Sequence, residues 1–234
     1  MDFHDKKIYF ASDFHLGIPS PEESLVREKK LVRWLDLIKD DAKAIFLMGD
    51  LFDFWFEYHT VVPKGHIRLL GKITELIDSG IEVHLFMGNH DLWQFGYLEK
   101  EIGIIMHREP ELWTFNGKTF FLAHGDGLGD GDKGYKFLKN IFECKFNQFL
   151  FNWLHPDIGM RLALYCSYKS RLGHMMHGER IGKDIEIKDL LLYQYANQQL
   201  TEHPEIDYFI FGHVHQPVKK ISIRKQRLFF WEIG

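Results

Sequence analysis

Cysteine is scarce in this chain of 234 residues: there are two, Cys144 and Cys166, and neither stands in a spacing that suggests a structural zinc or a redox pair. A disulfide-built fold is thereby excluded, and both thiols are expected to be reduced, as in the cytosol. Long apolar runs are missing as well. No stretch of about 18 residues lacks charge, so no transmembrane helix is expected. The segment Met1–Lys7 is charged and runs straight into an apolar run, which argues against a signal peptide. Positive charge is not in excess. Lys and Arg number 29 against 33 Asp and Glu, a net charge of −4 that gives no electrostatic case for nucleic acid. Repeats and low-complexity linkers are absent too. What remains is 45 % hydrophobic, enough to bury a full core as a single domain with an insertion.

Against that background, five short polar clusters stand out: Asp13-Phe14-His15, Gly49-Asp50, Gly88-Asn89-His90-Asp91, His124-Gly125-Asp126 and Gly212-His213-Val214-His215. Each follows a short run rich in branched or aromatic residues, Lys7–Ala11, Ala44–Met48, Ile81–Met87, Phe120–Ala123 and Tyr208–Phe211, which reads as a strand. The clusters therefore fall at the carboxyl ends of strands, the edge of an α/β sheet where loops converge on one crevice. Any one of them alone is more often a turn or a satisfied polar pair than a metal site. Five in series point to a dinuclear metal centre written along one chain.

The candidate ligands are Asp13, His15, Asp50, Asn89, His124, His213 and His215, a mixed oxygen and nitrogen shell without thiolate. Such a shell suits manganese, iron or zinc better than calcium or magnesium alone. Two ions need a shared ligand, and Asp50 is the candidate bridge. Asp13 and His15 are two apart, so in an extended strand end both side chains would project to one side, and His213 and His215 repeat that spacing. Ions about 4 Å apart would serve phosphate ester hydrolysis by generating hydroxide near neutral pH and offsetting phosphoryl charge. His90 would hydrogen-bond a phosphoryl oxygen or protonate the leaving group; its alternative is a purely structural partner of Asp91. Because histidine ligands must be neutral, activity is expected to fail in acid.

In order, these blocks resemble the calcineurin-like metallophosphoesterase superfamily, whose pattern is Asp-x-His, Gly-Asp, Gly-Asn-His-Asp/Glu, a His, then Gly-His-x-His. The match covers about residues 8 to 215. The resemblance implies a four-layer α/β fold, two packed β-sheets flanked by helices. It also implies a first ion on Asp13, His15, Asp50 and His215 and a second on Asp50, Asn89, His124 and His213. His90 would be the catalytic histidine, oriented by Asp91.

Between His124 and the last cluster lies a long insertion, and about 133–199 reads largely as helix. Phe137, Leu138, Ile141, Phe142, Phe146, Phe149, Leu150, Trp153 and Leu154 recur at helical spacing; His155-Pro156-Asp157 breaks the run, and a second helix is expected over Ile158–Tyr168. Lys133, Lys136, Lys139, Lys145, Arg161, Lys169, Arg171, Arg180 and Lys183 are interleaved with it. Apolar surface with basic rims suits a lipid with an anionic headgroup; packing on the core or on another subunit is the alternative. Gly127–Gly134 reads as a hinge. Elsewhere, helices are expected over Pro21–Lys39 and Ile67–Ser79, covering the sheet.

The run Gly49-Asp50-Leu51-Phe52-Asp53-Phe54-Trp55, the run His124-Gly125-Asp126-Gly127-Leu128 leading to Asp130, Asp132, Lys133 and Tyr135, and the insertion itself are similar to the UDP-2,3-diacylglucosamine pyrophosphatases. That resemblance implies a nucleotide-linked glycolipid substrate cleaved to UMP and 2,3-diacylglucosamine 1-phosphate in lipid A synthesis. It further implies manganese and peripheral attachment on the cytoplasmic face of the inner membrane, with the insertion as a lid for acyl chains. Substrate contacts would come from Asn89, His90, Asp132, Tyr135, Lys169 and Arg171. Two departures stand out: His90 replaces the Arg of that family's best-known branch, and the chain ends at Trp231-Glu232-Ile233-Gly234, near the family's usual Gly-Asp/Glu-Trp segment. A phosphoesterase acting on a soluble nucleotide or small phosphate ester is the alternative, and an inactive scaffold that binds a partner through the lid is the third.

Overall fold

Branched and aromatic runs bracketed by turn formers become strands throughout the described part of the chain. A computed structural model describes residues 6–129, 133–181, 191–215, 218–221 and 227–230; the side chains of 170–181, 218–221 and 227–230 lie outside the description. Strands β1 (Lys7–Ala11), β2 (Ala42–Leu47), β3 (Glu82–Phe86) and β4 (Ile105–His107) form a parallel sheet in that order. A second sheet runs in the order β5 (Glu111–Phe115), β6 (Lys118–Ala123), β7 (Tyr208–Phe211), β9 (Arg227–Phe230) and β8 (Val218–Ile221). Here β6, β7 and β9 are parallel, and β5 and β8 pair antiparallel at the edges.

Both faces of the first sheet are covered, so β2 is apolar without alternation. Ile45 and Leu47 pack with Leu31 and Leu35 of α1 (Pro21–Ile38) and with Leu69 and Ile73 of α2 (Ile67–Asp78). Their neighbours Ala44 and Phe46 point the other way, into a core shared with Phe115, Leu122 and Ile210 of the second sheet. The result is a mixed α/β fold of two packed sheets flanked by helices. A polar tie crosses this sandwich: His84 Nδ1 lies 3.0 Å from His107 Nε2, and His107 Nδ1 lies 2.8 Å from Glu111 Oε1.

Helix α1 starts where its sequence says it should. Ser20 Oγ accepts from the Glu23 amide at 3.2 Å and Pro21 opens the first turn. Its buried stripe is Ser24, Glu28, Leu31, Leu35 and Ile38, so two polar residues sit on the face turned to the core. The reason is that Ser24 and Glu28 each hold backbone amides of neighbouring segments, Gly17 for the first and Arg68 and Leu69 for the second.

Residues 58–60 and 126–205 form a second compact unit. It carries α3 (Lys133–Glu143), α4 (Lys145–Asn152), α5 (Pro156–Ile181) and α6 (Leu191–Glu202). The apolar run expected as one helix is broken at Cys144, whose backbone is extended (φ −62°, ψ 114°). Pro156 stands at the break expected at His155-Pro156-Asp157, since α4 ends at Asn152 and α5 begins here. It occupies the first turn of α5, where its missing N–H costs no hydrogen bond, and the helix runs well beyond the expected Tyr168. No residue of α3 or α4 is buried, and Phe137, Phe146 and Trp153 stay exposed. In the stretch expected to be a hinge, Gly127 and Gly129 have positive φ. Asp126 Oδ2 accepts from Tyr135 Oη at 2.6 Å and from Lys139 Nζ at 2.8 Å. Both cysteines are free and exposed.

Candidate metal centre

The five candidate clusters leave the carboxyl ends of β1, β2, β3, β6 and β7, and all of their residues but Asp126 belong to the first unit. Asp13, His15, Asp50, His213 and His215 have φ between 43° and 69°, the left-handed region that non-glycine residues seldom enter. The pincers Asp13/His15 and His213/His215 are therefore built from left-handed turns, not from the alternation of an extended strand end. Such a conformation costs of order 1–3 kcal/mol per residue and persists only where surroundings over-determine it. Here they do: Asp13 N donates to Gly49 O (3.1 Å), His15 N to Asp50 O (2.9 Å) and Gly212 N to His124 O (2.9 Å). His213 N donates to both oxygens of Asp13 at 3.0 Å. Two glycines permit the crowding, since a Cβ on Gly49 would meet the His124 ring and one on Gly88 would meet the Asp50 carboxylate.

Donor atoms of Asp13, His15, Asp50 and His215 all lie within 4.8 Å of one another, as do those of Asp50, His124 and His213. Asp50 belongs to both sets. Its Oδ2 is 3.6 Å from His15 Nε2 and 3.3 Å from His124 Nε2. His15 Nε2 lies 3.0 Å from His215 Nε2, and His124 Nε2 lies 3.3 Å from Asn89 Oδ1. Donors on an ion with bonds of about 2.0–2.2 Å are about 3 Å apart when they meet at right angles, so these separations fit. Asp50 Oδ2 is also buried without a hydrogen-bond partner, which is costly unless a cation faces it. His124 Nδ1 contacts the Met48 carbonyl at 2.7 Å; a carbonyl only accepts, so Nδ1 carries the proton and Nε2 the lone pair a metal requires.

Electrostatics sort the acids. Burial pushes the Asp50 carboxyl up, but the imidazoles of His124, His90 and His15 hold it well below the usual carboxylate range. Asp91 is pushed up to about 6, by burial first and the charge of Asp50 second, against the lowering effect of two backbone amides. Those amides are Gly88 N and Leu51 N, each 2.9 Å from an Asp91 oxygen. Asp91 thus commits both carboxylate oxygens to the backbone of the loops. The partner of His90 Nδ1 is the carbonyl of Asp53 at 3.0 Å, with Asp53 Oδ1 at 3.7 Å. Asp53 Oδ1 also faces His15 Nδ1 at 3.5 Å, and His15, Asp53 and His90 form a further cluster of donors. Burial lowers the pKa of His90, favouring the neutral ring.

Of the expected substrate contacts, Asn89 and His90 lie at this centre. Tyr135 bonds Asp126 within the second unit, and exposed Lys169 places Nζ 5.8 Å from the centre of the Tyr165 ring. Asp132 and the Arg171 side chain lie outside the described residues. The sequence offered Asp53 no role, although it sits three positions after Asp50; the part it plays through its carbonyl leaves no trace in residue type.

Residues 6–217 match the family described as calcineurin-like phosphoesterase. A protein of Porphyromonas gingivalis named UDP-2,3-diacylglucosamine hydrolase is 40 % identical over 224 residues, covering 89 % of this chain and 83 % of its own. A protein of the same name from Aeromonas salmonicida is 29 % identical over 208 residues, covering 89 % and 77 %. One from Neisseria gonorrhoeae, named likewise, is 28 % identical over 209 residues, covering 89 % and 82 %.

Proposed function

The chain belongs to the calcineurin-like phosphoesterase family, and on that premise we propose that it is a dinuclear metal-dependent hydrolase that cleaves the pyrophosphate of UDP-2,3-diacylglucosamine, releasing UMP and 2,3-diacylglucosamine 1-phosphate. The observation that carries the hydrolytic reading is the convergence of two donor sets on the one buried carboxylate of Asp50. The substrate rests on the similarity to proteins of that name over most of both chains. The ions are manganese in this proposal, with iron or zinc compatible with the same donors.

Asp13, His15, Asp50 and His215 would hold one ion, and Asp50, Asn89, His124 and His213 the other. Bound there, the ions would supply a water of lowered pKa and offset charge that grows on the phosphoryl oxygens. His90 donates Nδ1–H to the Asp53 carbonyl, so proton exchange with the reacting groups falls to Nε2. The left-handed turns of five ligands keep the donors close together before any ion or substrate arrives, which lowers the ordering cost of binding. Tyr135, Lys169, Asp132 and Arg171 are proposed headgroup contacts. The exposed apolar residues of 133–169 are proposed to receive acyl chains and to rest on the inner-membrane surface from the cytoplasmic side.

Release of UMP from UDP-2,3-diacylglucosamine in detergent micelles with manganese, run beside a soluble aryl phosphodiester, tests the substrate. UMP release with little aryl ester turnover is expected; the reverse would move the protein to a soluble substrate. His124→Ala and Asp50→Asn are each expected to lower hydrolysis by at least about 100-fold while far-UV circular dichroism stays unchanged. Full activity in either variant would sink the dinuclear mechanism.

A further inference from the structure

Arg27 lies in α1, partly buried, and is not among the candidate ligands. Its Nη1 stands 3.0 Å from the carbonyl of Phe14, 3.0 Å from that of His15 and 3.3 Å from that of Ile18. Among the described residues no carboxylate makes an ion pair with it, so carbonyl dipoles meet its charge. Two of those carbonyls belong to the peptide groups on either side of His15. The far ends of the same two peptide groups are also held: His15 N donates to Asp50 O at 2.9 Å, and Leu16 N to Leu51 O at 3.1 Å. Both peptide planes that flank His15 are therefore clamped at both edges, by the Asp50 loop on one side and by Arg27 on the other. The φ and ψ of a residue are nothing other than the relative setting of those two planes. His15 sits at φ 43°, a setting that an unrestrained histidine would leave.

The clamp is itself fixed. Helix α1 is packed on the sheet through Leu31, Leu35 and Ile38, and Ser24 Oγ accepts from Gly17 N at 2.8 Å just after the loop. We propose that Arg27 is a positioning residue for the ion held by Asp13, His15, Asp50 and His215, acting by locking the backbone of His15 in its left-handed conformation. This rests on the reading of the metal centre given above. All three carbonyls gather on the one Nη1, which shares its two hydrogens among them, whereas a lysine ammonium has three donors but reaches less far and reproduces only part of the clamp. The set Asp50, Asn89, His124 and His213 lies on loops that Arg27 does not touch, so its ion should feel little of the change.

Calorimetric titration of the metal-stripped protein with manganese, for wild type, Arg27→Lys and Arg27→Met, tests this, with thermal unfolding of each metal-stripped form beside it. Wild type is expected to bind two ions. Arg27→Met should weaken one of them by about 10- to 100-fold and leave the other nearly unchanged, with turnover recovering as manganese is raised. Arg27→Lys should fall between. If Arg27→Met does not fold, Arg27→Lys alone decides: unchanged affinity at both ions overturns the proposal. So does a variant of lowered melting temperature that binds both ions as wild type does, since Arg27 would then serve the fold only. Equal weakening at both ions overturns it too. A wild type that binds no manganese would instead refute the metal centre from which the inference starts.

Discussion

At the scale of single residues, Asp91 offers a clean test because its two neighbours pull its chemistry in known directions. The carboxylate accepts from Leu51 N and Gly88 N, and burial beside Asp50 raises its pKa to about 6. An unfolded aspartate titrates near 3.9, so between those values the folded state binds the extra proton. Ionised Asp91 therefore burdens stability in full above about pH 6, and the burden fades as pH falls towards 4. Asp91→Ala removes the titration and leaves two buried amides without their acceptor, at a cost of about 2–4 kcal/mol. The stability gap between wild type and variant, from denaturant melts of metal-stripped protein, should be about 1–2 kcal/mol wider at pH 5 than at pH 8. A gap independent of pH would show that Asp91 titrates normally. The same residue marks a limit of sequence reading. Side chains that advertise themselves by type and spacing, such as Asp13, His15 and His124, could be picked out from the chain. The clamp of His90 by the Asp53 carbonyl, of His124 by the Met48 carbonyl and of His15 by Arg27 could not, because a backbone oxygen is present at every position and only the fold selects which ones count.

Elements were legible where one physical signal dominated. The runs behind β1, β2, β3, β6 and β7 are apolar because they lie inside the two-sheet stack, and their expected ends differ from the observed ones by about two residues or fewer. Strand β5 was not foreseen, since Glu111-Leu112-Trp113-Thr114-Phe115 at a sheet edge mixes exposed and buried positions over too short a span. Helix α2 shows an element whose start depends on a distant residue. It begins after His66, which has φ 56° and offers no side-chain cap, and its first amides are met by Glu28 of α1 instead: Oε1 lies 2.9 Å from Arg68 N and 3.1 Å from Leu69 N. A carboxylate at a helix amino terminus also complements the dipole. Glu28→Ala is expected to destabilise the protein by about 1–3 kcal/mol in urea unfolding, and Glu28→Gln by less, because the amide keeps one accepting oxygen. Equal stability of Glu28→Ala and wild type would mean that water caps α2 as well as Glu28 does.

For the molecule as a whole, charge and apolar surface are unevenly shared. The chain is net negative, yet over 133–169 Lys133, Lys136, Lys139, Lys145, Arg161 and Lys169 face only Glu143 and Asp157. The same segment leaves Phe137, Phe146, Phe149, Trp153 and Ile158 more than half exposed. A water-soluble surface seldom keeps so many large apolar side chains together without a use. Among the described residues no helix is long and apolar enough to cross a membrane. Each basic residue near an anionic bilayer contributes about 1 kcal/mol, an attraction that salt screens within a Debye length of about 8–10 Å, while buried aromatic area is indifferent to salt. Sedimentation with vesicles separates the two contributions. Binding to phosphatidylglycerol vesicles is expected, with little binding to purely zwitterionic ones. Lys145→Glu combined with Arg161→Glu should lower it by about 10-fold or more at low salt, and Trp153→Ser should lower it at any salt. If anionic and zwitterionic vesicles bind alike, the basic rim has no part in membrane contact; if neither binds, the exposed aromatics serve the acyl chains of a substrate drawn from micelle or solution instead of the bilayer itself.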